Sequence, residues 1–330
     1  MSSDKKSEKK IHPQYARSIA IEKLRKFFEE KNIKECFTNL LVKSGAIEPY
    51  IDTVKISVQD KTFFLPTSPE FALKKAFARN SLNAAGTYEI AHAFRDDLTS
   101  NLHAIEFTMV EWYLKETNYL ELISFFTSLL TSAVSAFENS SLREKDILKA
   151  ERISVRRLFQ EILNEDIEPD FSLNDYQRLA KKYKINLSEK TKTDSETEDE
   201  LLKSEAFTLL FDNLIHRQLE KYPVCFVYDY PYFLRGMAEV SQEGWAKRVE
   251  CYTKGVETAS GYQELSDADE LKKLWEKNNA VRVLTGKEPH PLDEELIAAS
   301  SSMKNVSGMG MGLERVLMQV LVIENINAFS

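Results

Sequence analysis

Apolar residues at Ala16, Ala20, Leu24, Phe27 and Phe28 recur at helical spacing, which predicts an amphipathic helix from Tyr15 to Lys31 with Pro13 near its start. Ile33 to Val42 alternates in part and reads as a strand, as does the short run Thr62 to Pro66. Ser68-Pro69-Glu70 opens a further helix, with proline near the first helical position and an acid in the first turn. Tyr88 to Arg95 and Glu106 to Leu114 predict two strands joined by a polar loop, and Asn118 can cap an apolar helix from Tyr119 to about Phe137. Ser188 to Glu200 is polar and low in complexity, and is expected to be an exposed, mobile segment leading into a helix from near Leu201. Val224 to Tyr228 predicts a buried strand, Val249 to Thr258 a strand pair, and the chain closes with a glycine-alternating strand and a terminal helix. No internal repeat is visible. Strands with helices between and after them predict an α+β fold on a mainly antiparallel sheet flanked by helices.

Composition narrows the functional classes. The 330 residues are 43% hydrophobic and 29% charged, which is ordinary for a globular protein, and no apolar run approaches the length that spans a bilayer. The first ten residues lack the apolar segment of a signal peptide, so a cytoplasmic protein with no membrane partner is expected, with a disordered tail over 1–12 and one domain over 13–330. Cys36, Cys225 and Cys251 are odd in number and widely spaced, against a disulfide framework or zinc knuckle, and the five histidines are scattered. A formal net charge of −8 disfavours sequence-independent binding to phosphate backbones, although it leaves room for a local basic patch.

Three segments carry chemistry. In Ser307 to Met318, strand alternation puts Gly308, Gly310 and Gly312 on one face and Met309 and Met311 on the other. A face without side chains admits a flat ligand such as a nucleotide, with Arg315 in the first turn of the following helix; it equally permits a closely packed neighbouring helix. In Phe94 to Tyr113, Phe107, Met109, Glu111 and Tyr113 share a strand face suited to a stacked base beside a cationic ligand, while Arg95 and His103 can meet phosphate. A merely wet hairpin face is the alternative, against which Glu111 stands in a hydrophobic run where an unpaired carboxylate is costly. In Glu250 to Leu265, a turn centred between Thr253 and Lys254 would set Glu250 opposite Glu257, an acid pair that needs a proton or a cation such as Mg²⁺ between its members unless it is simply solvated.

Together these segments resemble the signature motifs of class II aminoacyl-tRNA synthetases, most closely the lysyl branch and, within it, the elongation factor P–lysine ligases. The resemblance runs from about Ile11 to the C-terminus and rests on Thr67-Ser68-Pro69-Glu70, Phe94-Arg95, His103, Glu106-Phe107-Thr108-Met109, Glu111-Trp112-Tyr113, Lys254-Gly255-Val256-Glu257 and Gly308 through Arg315. It implies a class II synthetase-like catalytic core, with ATP and Mg²⁺ as cofactors and lysine or (R)-β-lysine as substrate. The acyl group would pass from an aminoacyl adenylate to a lysine of elongation factor P.

The resemblance also implies roles. Arg95 would hold the α-phosphate and substrate carboxylate, His103 the γ-phosphate, and Phe107 and Arg315 the adenine, with Asp97 at its amino edge; Thr258 and Gly312 complete the nucleotide set. Glu250 and Glu257 would hold the metal, and Ser68, Glu70, Glu111, Tyr113, Ser260, Glu264 and Gly310 the amino acid. The chain departs from the family pattern at Asn39, Asp97, Ala104 and Ser260, and Gly310 is smaller than the ligases' usual residue, which admits α-lysine. A homodimer is implied, though Asn39, where the class has proline, weakens that argument. The expected absence of an anticodon-binding domain on either side of the core argues against tRNA as acceptor. A lysine-activating paralogue with another acceptor and a non-catalytic module of the same fold are the competing expectations.

Overall fold

The computed structural model describes residues 11–79, 83–187 and 193–330. Ten strands are present among them: β1 (Ile33–Glu35), β2 (Lys55–Val58), β3 (Lys61–Phe64), β4 (Gly86–Phe94), β5 (Glu106–Lys115), β6 (Glu151–Ser154), β7 (Val224–Pro231), β8 (Trp245–Thr253), β9 (Val256–Gln263) and β10 (Val306–Gly312). The α-helices are α1 (Pro13–Glu30), α2 (Glu70–Arg79), α3 (Glu121–Val134), α4 (Glu144–Leu148), α5 (Val155–Leu163), α6 (Leu173–Lys182), α7 (Glu196–Leu210), α8 (His216–Leu219), α9 (Ala268–Leu284), α10 (Glu294–Ser300) and α11 (Leu313–Leu321). Eight strands form one sheet in the order β1-β4-β5-β10-β9-β8-β7-β6. Its central pairs are antiparallel, and only the outermost pairs, β1 with β4 and β6 with β7, are parallel. The α+β expectation stands.

Alternation decides which face of this sheet is core. Val110, Trp112 and Leu114 of β5, Met309 and Met311 of β10, and Val249 and Cys251 of β8 turn to one side, where α1, α3 and α11 cover them. Trp112 stacks on Phe126 of α3, and Phe28 of α1 stacks on Tyr88. A second apolar cluster under α5, α6 and α7 covers the β7 end of the sheet. The opposite face of β5, β10 and β9 is left for the site.

Several local expectations need correction. The strand expected over Ile33 to Val42 stops at Glu35; Val42 makes only an isolated bridge to Phe64, and Phe37 is 79% exposed. The run near Thr62 is one arm of a separate two-stranded hairpin with β2, a strand too short and too exposed to show in the pattern. Of the polar segment, Ser188 to Lys192 lie outside the described residues, but Glu196 to Glu200 are already helical. Ser195 accepts from the Glu198 N–H as N-cap, and Glu196, Glu198 and Asp199 then sit at the positive end of the α7 dipole. A run of acids that resembles a solvated linker is therefore the first turn of a helix.

Candidate active site

Strand register builds the site around the glycine stripe. Gly308, Gly310 and Gly312 of β10 pair with Tyr113, Glu111 and Met109 of β5 on one side. On the other side Gly308 pairs with Tyr262 and Gly310 with Ser260 of β9. A bare trough thus runs between two rows of functional side chains, and a cavity of about 270 Å³ opens over it. Arg95, Asp97, His103, Phe107, Glu257, Thr258, Ser260, Glu264 and Arg315 all line that cavity, as do Ser68, Glu70, Glu111, Tyr113, Gly310 and Gly312. Glu250 is the one expected site residue not on its wall.

The Gly312 end is cationic. Arg315 Nε donates to the Leu102 carbonyl at 3.2 Å and its Nη1 to the Glu257 carbonyl at 3.1 Å, so the guanidinium ties α11 to the loop after β4 and to β9. Its neighbour Glu314 faces inward, accepting from the Thr108 N–H at 2.9 Å and from Arg17 at 3.2 Å, which fixes where α11 starts. The Arg95 guanidinium lies 5.3 Å from the Phe107 ring centroid. His103 Nδ1 is 2.8 Å from Ser100 Oγ; burial, with Arg315 and Arg95 nearby, holds its imidazole below the usual histidine range. Asp97 and Glu257 line the same end, and the charge of Glu257 acts on Arg315.

The Gly308 end is acidic. Glu111, Glu264 and Glu70 are buried there. Tyr113 donates to Glu111, and Tyr262 donates to Glu70. Burial pushes the Glu264 carboxyl up to about 8, and burial together with the charge of Glu70 pushes Glu111 well above the carboxylate range. Glu264 Oε1 has no hydrogen-bond partner among the described residues. A cluster of buried acids with a free acceptor calls for cationic donors.

The third segment departs from its expected geometry. The β8–β9 turn is centred on Lys254 and Gly255, both with positive φ (48° and 80°), the two-residue turn that right-twisted strands favour. A bulge between Cys251 and Tyr252 then shifts the register, so that Glu257 pairs with Tyr252 and Glu250 with Ser260. The two glutamates are thus not cross-strand partners. Glu250 takes hydrogen bonds from Tyr230 and Tyr252 and an ion pair from Arg248 at 2.5 Å. Glu257 faces the cavity, where burial and the charge of Glu250 raise its pKa. Among the described residues no group of three or more His, Cys, Asp and Glu is arranged to hold a metal.

Sequence reasoning missed Tyr262, Arg248 and Lys74. Tyr262 falls at period two between Ser260 and Glu264, and Arg248 two residues before Glu250, so strand alternation could have found both. Lys74, four residues after Glu70 on α2, carried only a helical-spacing signal.

The glycine trough, with its cationic and acidic ends, thus lies on the antiparallel part of the sheet. Residues 4–330 match the family described as tRNA synthetases class II (D, K and N), and the chain belongs to that family. It is similar to the elongation factor P–(R)-β-lysine ligase of Haemophilus influenzae strain Rd, with 31% identity over 96% of this chain and 93% of that protein. It is also similar to the ligases of that name from Avibacterium paragallinarum, 30% identical over 94% of this chain and 92% of theirs, and Mannheimia succiniciproducens, 29% identical over 96% and 94%. No helix among the described residues is long and apolar enough to cross a membrane.

Proposed function

We propose that this chain is a cytoplasmic ATP-dependent ligase that activates (R)-β-lysine or lysine as an aminoacyl adenylate and transfers it to a lysine side chain of elongation factor P. The observation that carries the reading is the charge division of one cavity, with Arg95, His103 and Arg315 at the Gly312 end and Glu70, Glu111 and Glu264 at the Gly308 end. A triphosphate needs the first and a diamino acid the second. The names of the relatives supply the acceptor.

In this reading Phe107 and Arg315 receive the adenine with Asp97, Thr258 and Gly312 around it, and Arg95 and His103 the phosphates. Glu257, with Glu250 behind it, would hold Mg²⁺, which supplies neutralising charge to the triphosphate. Ser68, Glu70, Glu111, Tyr113, Ser260, Glu264 and Gly310 surround the amino acid, whose carboxylate points toward Arg95. That carboxylate attacks the α-phosphorus, the P–O bond to the β-phosphate breaks, and pyrophosphate leaves. The nucleophile is already ionised, so no side chain need take a proton. The neutral acceptor amine then attacks the acyl carbon, AMP departs as the acyl–phosphate bond breaks, and the amine's proton is released to solvent. The exposed Phe37, Leu40 and Leu41 offer apolar surface for a homodimer, which mass in solution tests.

ATP–pyrophosphate exchange with (R)-β-lysine, with α-lysine and with no amino acid tests the reading. Exchange dependent on a lysine isomer, followed by acylation of elongation factor P, is the expected result. Exchange without acylation of that factor moves the acceptor elsewhere, and silence with both isomers from folded protein overturns the reading.

A pH dependence follows from Glu264. Its carboxyl, pushed up to about 8, is largely protonated at lower pH and cannot receive an ammonium group. The kcat/KM for the amino acid, which reports the free enzyme, is expected to rise between about pH 6 and 8 and then level off. Binding should release a proton, visible as a buffer-dependent heat. A profile flat across that interval contradicts the role given to Glu264.

A further inference from the structure

Lys74 lies behind the acidic end of the cavity without lining it. It is only 3% exposed, and its ammonium group is 2.8 Å from Glu70 Oε1 and 2.6 Å from Glu264 Oε2. The rings of Tyr113 and Tyr262 flank it at 5.5 and 5.2 Å, and Met237 Sδ is 3.9 Å away. One buried cation thus joins two carboxylates brought from α2 and from the end of β9. Burial alone would discharge such an amine, yet Glu264 and Glu70 hold its pKa above the ordinary lysine value.

Glu48, Glu70, Glu111 and Glu264 line this part of the cavity, and Lys74 touches two of them, Glu70 and Glu264. Burial and the charge of Glu70 hold Glu48 above the usual carboxylate range, and it accepts from the Ile47 N–H, while Glu239 pairs with Lys247 at 3.0 Å. The ion pair also orients Glu264. Because Lys74 takes Oε2 of Glu264, the unpartnered Oε1 stands against Gly308, where an added Cβ would come within 2.7 Å of it.

We propose that Lys74 is a positioning residue for the amino acid, which holds the Glu70 and Glu264 carboxylates in place and turns the free Oε1 of Glu264 toward the trough. The inference rests on the ligase reading above. Glu264 Oε1 is left free for the incoming ammonium, while Glu70 and Glu111 keep one oxygen each on a tyrosine.

The test compares Lys74→Met and Lys74→Arg with the wild-type enzyme in lysine-dependent pyrophosphate exchange across pH. Removing the cation raises the carboxylate pKa values, so Lys74→Met is expected to move the acidic limb of kcat/KM upward by about one pH unit or more. The KM for the amino acid should rise at least about tenfold, with the KM for ATP within about twofold of wild type. Lys74→Arg keeps the charge and displaces the carboxylates, so its limb stays at the wild-type pH while the amino-acid KM alone rises. Should Lys74→Met not fold, the arginine variant decides by that split. A fall in kcat with both KM values and the limb unmoved overturns the inference, leaving Lys74 a structural ion. Wild-type enzyme silent with every lysine isomer overturns the ligase reading, and this inference with it.

Discussion

Arg95→Ala is expected to lower pyrophosphate exchange by at least about a thousandfold while leaving the fold intact. Arg95 is half-buried at the end of β4, and its side chain makes few structural ties, a long 3.4 Å hydrogen bond to the Thr67 carbonyl and the stack on Phe107. Neither holds an element in place, since the backbone after β4 is fixed separately by the Arg95 N–H on the Ile105 carbonyl and the Asp96 N–H on the Asp52 carbonyl. In the proposed reaction the guanidinium supplies a pair of charged donors where a carboxylate must approach a phosphate. Two anions do not close on one another in a low-dielectric site without a cation between them, and charge builds further as the α-phosphorus is attacked. Lysine at this position keeps the charge and loses the fork, so Arg95→Lys should recover only part of the rate. The measurement is exchange with the preferred isomer, with thermal melting alongside it. Near-normal exchange in Arg95→Ala would remove Arg95 from the chemistry and with it the assignment of the Gly312 end to phosphate.

What could be read from the chain was what depends on neighbours along it. The alternation that puts Gly308, Gly310 and Gly312 on one face and Met309 and Met311 on the other is a property of any strand, and the structure keeps it, as it keeps the shared face of Phe107, Met109, Glu111 and Tyr113. Partnership across the fold was not legible in the same way. Tyr262 and Glu70 are 192 positions apart and meet only because β9 and α2 converge on the trough. Lys74 looks like any helical lysine until Glu264 is placed against it. The Glu250–Glu257 relation failed for a third reason: a left-handed turn at Lys254 and Gly255 and a bulge beside Tyr252 each displace the register, and neither has a period to betray it. The acids at Glu196 to Glu200 show the converse, since composition alone cannot tell a solvated tract from a helix whose first turn is acidic by dipole preference.

The three glycines of the trough, equivalent in the sequence pattern, are expected to differ steeply under substitution. A Cβ at Gly308 would lie 2.3 and 2.4 Å from Cε1 and Cδ1 of Tyr113 and 2.7 Å from Glu264 Oε1, distances that no side chain tolerates. The Tyr113 ring cannot step aside freely, because it is buried, its hydroxyl is committed to Glu111, and Phe77 packs on it at a centroid distance of 6.4 Å. Gly308→Ala must therefore spread β10 from β5 or push Tyr113 and Glu264 into the space proposed for the amino acid, at a cost of about 1–3 kcal/mol in stability. Amino-acid-dependent exchange should fall by about a hundredfold or more, since two walls of that end move at once. At Gly310 the same Cβ would meet Met109 Sδ at 3.3 Å and Glu111 Oε2 at 3.4 Å, both on side chains that can give a little. Gly310→Ala should keep the fold and shift the relative kcat/KM of the two lysine isomers toward (R)-β-lysine by about three- to tenfold. At Gly312 the nearest atom is Arg315 Cδ at 3.8 Å, an ordinary contact. Equal losses for alanine at all three positions would mean that strand packing, not the shape of the amino-acid end, is what the stripe provides. A loss confined to Gly308, with altered isomer preference at Gly310, would locate the substrate at the acidic end of the trough.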